Sequence, residues 1–231
     1  MILGCDISKW QYIVGSKIDI NFSMVWMKGI RFIIMRGCYG KIIDPQLERY
    51  SINSEGIFPV RGIYIYVLWN VSAKEQGELI TKLWKMYNIE LPPALDLEER
   101  SKYPGKDNAR LFVKDIVNII HSEVGQYPLF YTSPGWWSSY GWTDEYFINC
   151  PLWIANWNVI KPVIPKPWTE GTFWQWTSRG DGRYYGFHSK GLDLDYYLYQ
   201  WTDLINLCAG RAVNPLSTSN NTIKHIRKLV Y

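Results

Sequence analysis

The chain has 231 residues, 47% hydrophobic and 20% charged, a globular composition with room for one sizeable core. It holds no apolar run long enough to cross a bilayer, so membrane insertion is not expected. The net charge of +4 belongs to the tail: Arg211, Lys224, Arg227 and Lys228 lie beyond residue 210 with no acid among them, leaving a neutral body with no case for nucleic acid as a partner.

Apolar runs of strand character fall near residues 2–6, 31–36, 61–67, 93–97 and 128–132. Between them lie helix-like stretches near 21–28, 45–56, 72–88 and 107–124. Ser72 followed by Glu75 gives the third stretch a capping-box start. Leu111, Val113, Ile116, Val117 and Ile120 recur at helical spacing in the fourth. Near-continuous apolar strands alternating with helices predict a parallel sheet covered on both faces.

After residue 150 the rhythm changes. Runs at 152–155, 172–176 and 192–195 read as strands joined by Pro- and Gly-rich loops, so the later helices are lost. A short helix is expected at 199–209. Residues 1–210 thus read as one barrel-like unit, 211–222 as a linker rich in Ser, Thr and Asn, and 223–231 as a short basic end.

The chemistry concentrates in acids. Asp96 and Glu98 stand two residues apart in Ala94-Leu95-Asp96-Leu97-Glu98, so on a strand both point to one face while Leu95 and Leu97 take the other. Asp193 and Asp195 repeat the device in Gly191-Leu192-Asp193-Leu194-Asp195, and Asp6 closes the first apolar strand. Carboxyls packed side by side are costly unless solvated, paired or used. Acids ending several separate strands are what a carboxylate-based hydrolase needs. Cys5, Cys38, Cys150 and Cys208 are widely spaced with no CxxC, and only three His accompany them, so neither a metal site nor a cofactor is expected. Buried free thiols are the favoured reading, with a Cys5–Cys38 bridge as the alternative. The 13 Trp and 17 Tyr suit both a large aromatic core and stacking platforms for sugar rings.

These motifs resemble the family 25 glycoside hydrolases, the Chalaropsis-type lysozymes common among phage endolysins. Asp6-Ile7-Ser8 with Trp10-Gln11, Phe32-Ile33-Ile34-Met35-Arg36 with Tyr39-Gly40, and Gly62-x-Tyr64-x-Tyr66 open the match. Ala94 to Glu98, Tyr131-Thr132-Ser133-Pro134, Leu152 to Ala155, Trp174-Gln175 and Leu192-Asp193-Leu194 continue it in the family's order, over residues 1–200. The resemblance implies an α/β fold, a distorted TIM-like barrel written (β/α)5(β)3, with eight strands and the later helices missing. Sites in such barrels form at the C-terminal ends of the strands. It implies a muramidase that cuts bacterial peptidoglycan between N-acetylmuramic acid and N-acetylglucosamine. Glu98 would be the general acid, with Asp96, Asp6 and Asp193 completing the acidic cluster.

Tyr64, Tyr66, Tyr131, Trp153 and Gln175 are the expected sugar contacts, and Trp136, Trp137 and Trp142 are expected in a cleft wall. Three positions depart from the family: Tyr12 where Gly is usual, Ile65 where His is frequent, and Asp195 where Asn is frequent. Asp195 is expected to be structural, paired with an arginine such as Arg36. The N-terminus shows no basic region followed by an apolar one, so a protein made in a host cytoplasm and reaching the wall after release is expected. The basic end is read as an inert solvated segment rather than a wall-binding one. Two alternatives are a catalytically silent wall-binding barrel and a family 18-type chitinase, the latter weakened by Tyr197 where that motif needs Glu.

Overall fold

The computed structural model describes residues 1–12 and 19–210; the expected linker and basic end lie outside these residues. The chain begins with β1 (Ile2–Ile7), followed by a 3-10 turn at Lys9–Gln11, then α1 (Phe22–Met27), β2 (Phe32–Tyr39), β3 (Ile42–Ile43) and α2 (Leu47–Ser54). Next come β4 (Arg61–Tyr66) with α3 (Ala73–Met86), β5 (Ala94–Asp96) with α4 (Lys106–Val124), and β6 (Leu129–Thr132) with α5 (Pro134–Tyr140). β7 (Leu152–Ala155), β8 (Phe173–Asp181), the single turn α6 (Gly182–Tyr185), β9 (Gly191–Tyr197) and α7 (Trp201–Cys208) follow.

The strands run in the order β1-β9-β8-β7-β6-β5-β4-β2-β3, and a further β1–β2 pairing closes them into a barrel of eight, with β3 a short hairpin arm on β2. From β1 through β8 neighbouring barrel strands are parallel; β9 is antiparallel to both β8 and β1. Five strand–helix units followed by strands without intervening long helices are the (β/α)5(β)3 pattern. The short α5 is not among the helix-like stretches read from the sequence. Its start is nonetheless encoded: Ser133 accepts from the Trp136 amide and Pro134 occupies the first turn.

Strand alternation sorts the side chains into two cores. Outward-facing Ile33, Met35, Ile63, Ile65, Leu95, Phe130 and Ile154 pack under the helices. Inward-facing Phe32, Ile34, Ala94, Leu129, Tyr131, Trp153, Phe173 and Tyr197 fill the lumen, closed at the lower end by Leu204 and Leu207 of α7. Phe32 meets Phe173 edge-on at 5.4 Å between ring centres, and Phe173 meets Tyr197 at 5.0 Å. This aromatic floor explains Gly4: a Cβ there would sit 2.3 Å from the Phe32 ring.

One sequence expectation is corrected, and the favoured reading of the cysteines holds. Trp136, Trp137 and Trp142 are not a cleft wall; all three are buried behind the sheet. Helix α5 and the turn after it pack these indoles behind β6, where Trp137 donates to the Lys166 carbonyl at 2.6 Å and Trp142 to the Lys106 carbonyl at 3.2 Å. The four cysteines are free thiols, Cys5 and Cys38 among them, each half-buried or buried.

Candidate active site

The upper rim is where the parallel strands end and β9 begins. Asp6 comes from β1 and faces Asp193 across the β1–β9 ladder, with Gly4 opposite Asp195 one layer lower. Asp96 ends β5, level with Tyr66 on β4 and Tyr131 on β6. Glu98 lies two residues beyond the strand, at the mouth and exposed; the chain reaches it through Leu97, whose amide donates to the Tyr131 carbonyl at 2.9 Å. The expected single strand 93–97 is thus shorter, and Glu98 projects from a segment just past it.

Asp6, Asp96, Glu98 and Asp193 line a cleft of about 220 Å³ with Tyr64, Tyr131, Trp153, Trp157, Gln175 and Ser178. A second depression of about 470 Å³ continues the cleft on the far side, past Ser133, Pro134, Asn156 and Asn158. Glu98, Tyr131 and Trp157 belong to both. Glu98 therefore stands at the junction.

Gln175 organises the buried side. Its Nε2 donates to Asp6 Oδ2 at 2.7 Å, while its Oε1 accepts from the Tyr131 hydroxyl and from Trp157 Nε1, each at 3.0 Å. Trp153 donates its indole N–H to Asp195 Oδ1 at 2.8 Å. Asp195 does not meet Arg36, as the sequence suggested. Arg36 lies near the rim end of β2 and is held by Asp44 just past the β3 arm, with both Nε and Nη2 at 2.7 Å from Oδ2. Tyr66, an expected sugar contact, is not part of the cleft lining; it stacks on Tyr39 at 4.7 Å. Tyr64, Tyr131, Trp153 and Gln175 do line it. Trp157 went unrecognised in the sequence, although an aromatic between Asn156 and Asn158 just after a barrel strand is the kind of loop residue that carries function.

The electrostatics follow from crowding in a poorly solvated lumen. Burial, then Asp193 and Asp195, push Asp6 well above the usual carboxylate range, against the Gln175 hydrogen bond. Burial, then Glu98, do the same for Asp96, opposed by Arg36. Asp193 is raised to about 6 by burial and then by Glu98. Glu98, although its side chain reaches solvent, is raised by lost hydration and then by Glu99. Asp96 Oδ1 is buried with no hydrogen-bond partner. Among the described residues no His, Cys, Asp or Glu cluster has the grouping of a metal site.

A barrel whose rim gathers carboxyls of raised pKa in an aromatic-walled, elongated cleft fits a carboxylate-dependent glycoside hydrolase. The comparisons agree. The model of the "Glycosyl hydrolases family 25" matches residues 5–183, and the chain belongs to that family. It is 29% identical over 189 residues to an N,O-diacetylmuramidase of Chalaropsis sp, covering 75% of this chain and 87% of that protein. It is 26% identical to Lysozyme M1 of Streptomyces globisporus, covering 78% and 63% respectively. In structure it superposes on a bacterial lysozyme from Streptomyces coelicolor with a TM-score of 0.79 at 22% identity, covering 91% of this chain and 98% of that one. A muramidase from Acremonium alcalophilum gives a TM-score of 0.78 at 24% identity, covering 91% and 100%.

Proposed function

We propose that this glycoside hydrolase is a muramidase, cleaving the β-1,4 bond between N-acetylmuramic acid and N-acetylglucosamine in bacterial peptidoglycan, with Glu98 as general acid. The observation that carries the reading is the place of Glu98, between two connected depressions that suit sugar units on either side of a bond. Glycoside cleavage needs a proton on the departing oxygen and negative charge beside the oxocarbenium-like carbon. Lost hydration, and then Glu99, raise the Glu98 carboxyl above its ordinary range, which favours its acid form, and Glu98 in turn raises Asp96. Asp6 and Asp193, arriving on adjacent strands, supply the negative side of the site and face the sugar's reacting end. Tyr131 and Trp157 offer ring faces along the cleft. The names borne by the sequence relatives, a diacetylmuramidase and a lysozyme, support the same substrate class.

An endolysin-like setting, in which the enzyme forms in a host cytoplasm and reaches the wall after release, is part of this proposal and rests on the sequence resemblance. The deciding experiment is mass analysis of fragments released from purified peptidoglycan. Fragments with N-acetylmuramic acid at the new reducing end are expected. Ends at N-acetylglucosamine would overturn the bond assignment, and wall binding without release would make the protein a binding barrel.

A further inference from the structure

Asp195 takes no part in the cleft lining, yet it is the most deeply sealed acid of the cluster: 0% exposed, against 6% for Asp6 and 5% for Asp96. Its Oδ1 accepts from Trp153. Its Oδ2 is buried and takes no hydrogen bond from any conventional donor of the described residues. What does lie within hydrogen-bonding reach is another carboxyl, that of Asp6. The guanidinium of Arg36 is held by Asp44, and neither Asp6 nor Asp195 takes part in any ion pair among the described residues.

Two carboxyls in contact inside a dry lumen, with no bridging cation, cannot both be ionised cheaply. One proton between them satisfies both. Each carboxyl already accepts from one neutral donor, Asp6 from Gln175 and Asp195 from Trp153. A proton held between them gives the buried Asp195 Oδ2 its partner, whichever carboxyl carries it. We propose that Asp195 is a positioning residue: it shares one proton with Asp6 and so fixes the orientation in which Asp6 meets the substrate. Burial, the chief influence on Asp195, raises its carboxyl and Asp193 adds to this, while the hydrogen bonds with Trp153 and Asp6 lower it. It rests on the glycosidase reading of the cleft for its consequence, but not for the proton itself.

The titratable groups facing Asp195 are Asp6 and Cys5 on β1 and Asp193 on its own strand; β7 and β8 present Trp153 and Gln175, which do not titrate. The test compares the whole protein with Asp195→Asn and Asp195→Leu. Infrared difference spectra at neutral pH, wild type minus Asp195→Asn, should show the carbonyl stretch of a protonated carboxyl. Loss of a carboxylate band instead would overturn the proposal. On purified peptidoglycan, Asp195→Asn should keep activity within about threefold and leave the acid limb of the pH profile in place, whereas Asp195→Leu should lose about tenfold or more in kcat with little change in KM. An acid limb displaced downward by about one pH unit in Asp195→Asn would mean that both native carboxyls are charged and no proton is shared. An Asn variant no better than Leu would equally end the idea. If the wild type releases no reducing ends, the glycosidase reading falls, while the infrared result still decides whether the pair holds a proton.

Discussion

Gln175 and Asp6, 169 residues apart in the chain, are joined by a 2.7 Å hydrogen bond inside the barrel. The amide orients Asp6 and in turn is oriented by Tyr131 and Trp157. Gln175→Leu removes the donor and strands three polar groups. Activity on peptidoglycan should fall about tenfold or more, and stability by roughly 1–3 kcal/mol, measurable by initial rates and denaturant unfolding. Unchanged rates would detach Asp6 from the reaction.

Glu98→Gln keeps the shape of the side chain and removes its proton. The expected loss in kcat is about 10²- to 10⁴-fold. Because the folded site disfavours the Glu98 charge, the variant's unfolding free energy should be no lower than that of wild type at neutral pH. A folded variant that still clears wall suspensions at the native rate would remove Glu98 from its assigned role.

Asp193 gives a pH signature in stability. Its carboxyl is raised to about 6 in the folded state, whereas an unfolded Asp titrates near 3.9. The folded protein holds this proton more tightly, so the contribution is fully present below about pH 4 and is lost as pH rises through about 6. Asp193→Asn should therefore stabilise the fold above neutrality by up to roughly 2–3 kcal/mol and match wild type near pH 3.5. Chemical denaturation at the two pH values measures this directly. A variant less stable than wild type at pH 8 would contradict the sign.

Gly4→Ala tests the aromatic floor. The new methyl would lie 2.3 Å from Phe32. Thermal unfolding should show a loss of about 1–3 kcal/mol, partly recovered when Phe32→Leu is added. Additive losses in the double variant would show that the two positions do not compete for space.

Trp157 is 46% exposed and borders both depressions. In the Glu98→Gln background, where fragments are not consumed, Trp157→Ala should weaken binding of wall oligosaccharides by about 1 kcal/mol, roughly fivefold, in calorimetry. Equal affinities would place the sugars elsewhere.

Much of this arrangement was legible from alternation alone. Once the strand at Ala94–Asp96 is recognised, the inward direction of Asp96 follows, and the pattern of Asp193 with Asp195 gives the same result for β9. What alternation does not convey is depth. Asp193 and Asp195 share a face, but only the neighbouring ladders place one beside Asp6 and the other beside Gly4. Nor does it convey partnership: the Arg36–Asp44 pair forms because β3 folds back on β2, a hairpin of two residues too short to announce itself. The tryptophans of α5 misled for a related reason. Aromatics after a barrel strand suit either a cleft or a core, and the cap at Ser133 that turns them inward is a single hydroxyl.

The reversed direction of β9 has a consequence for how the enzyme comes into being. Its strand slots between the first and the eighth, so Asp6, made well before β9, must wait for Asp193 to become its neighbour. Any emerging polypeptide that stops short of Gly191 has an open seam and an incomplete acidic ring. Closing that seam both finishes the barrel and brings hydrolytic competence into existence.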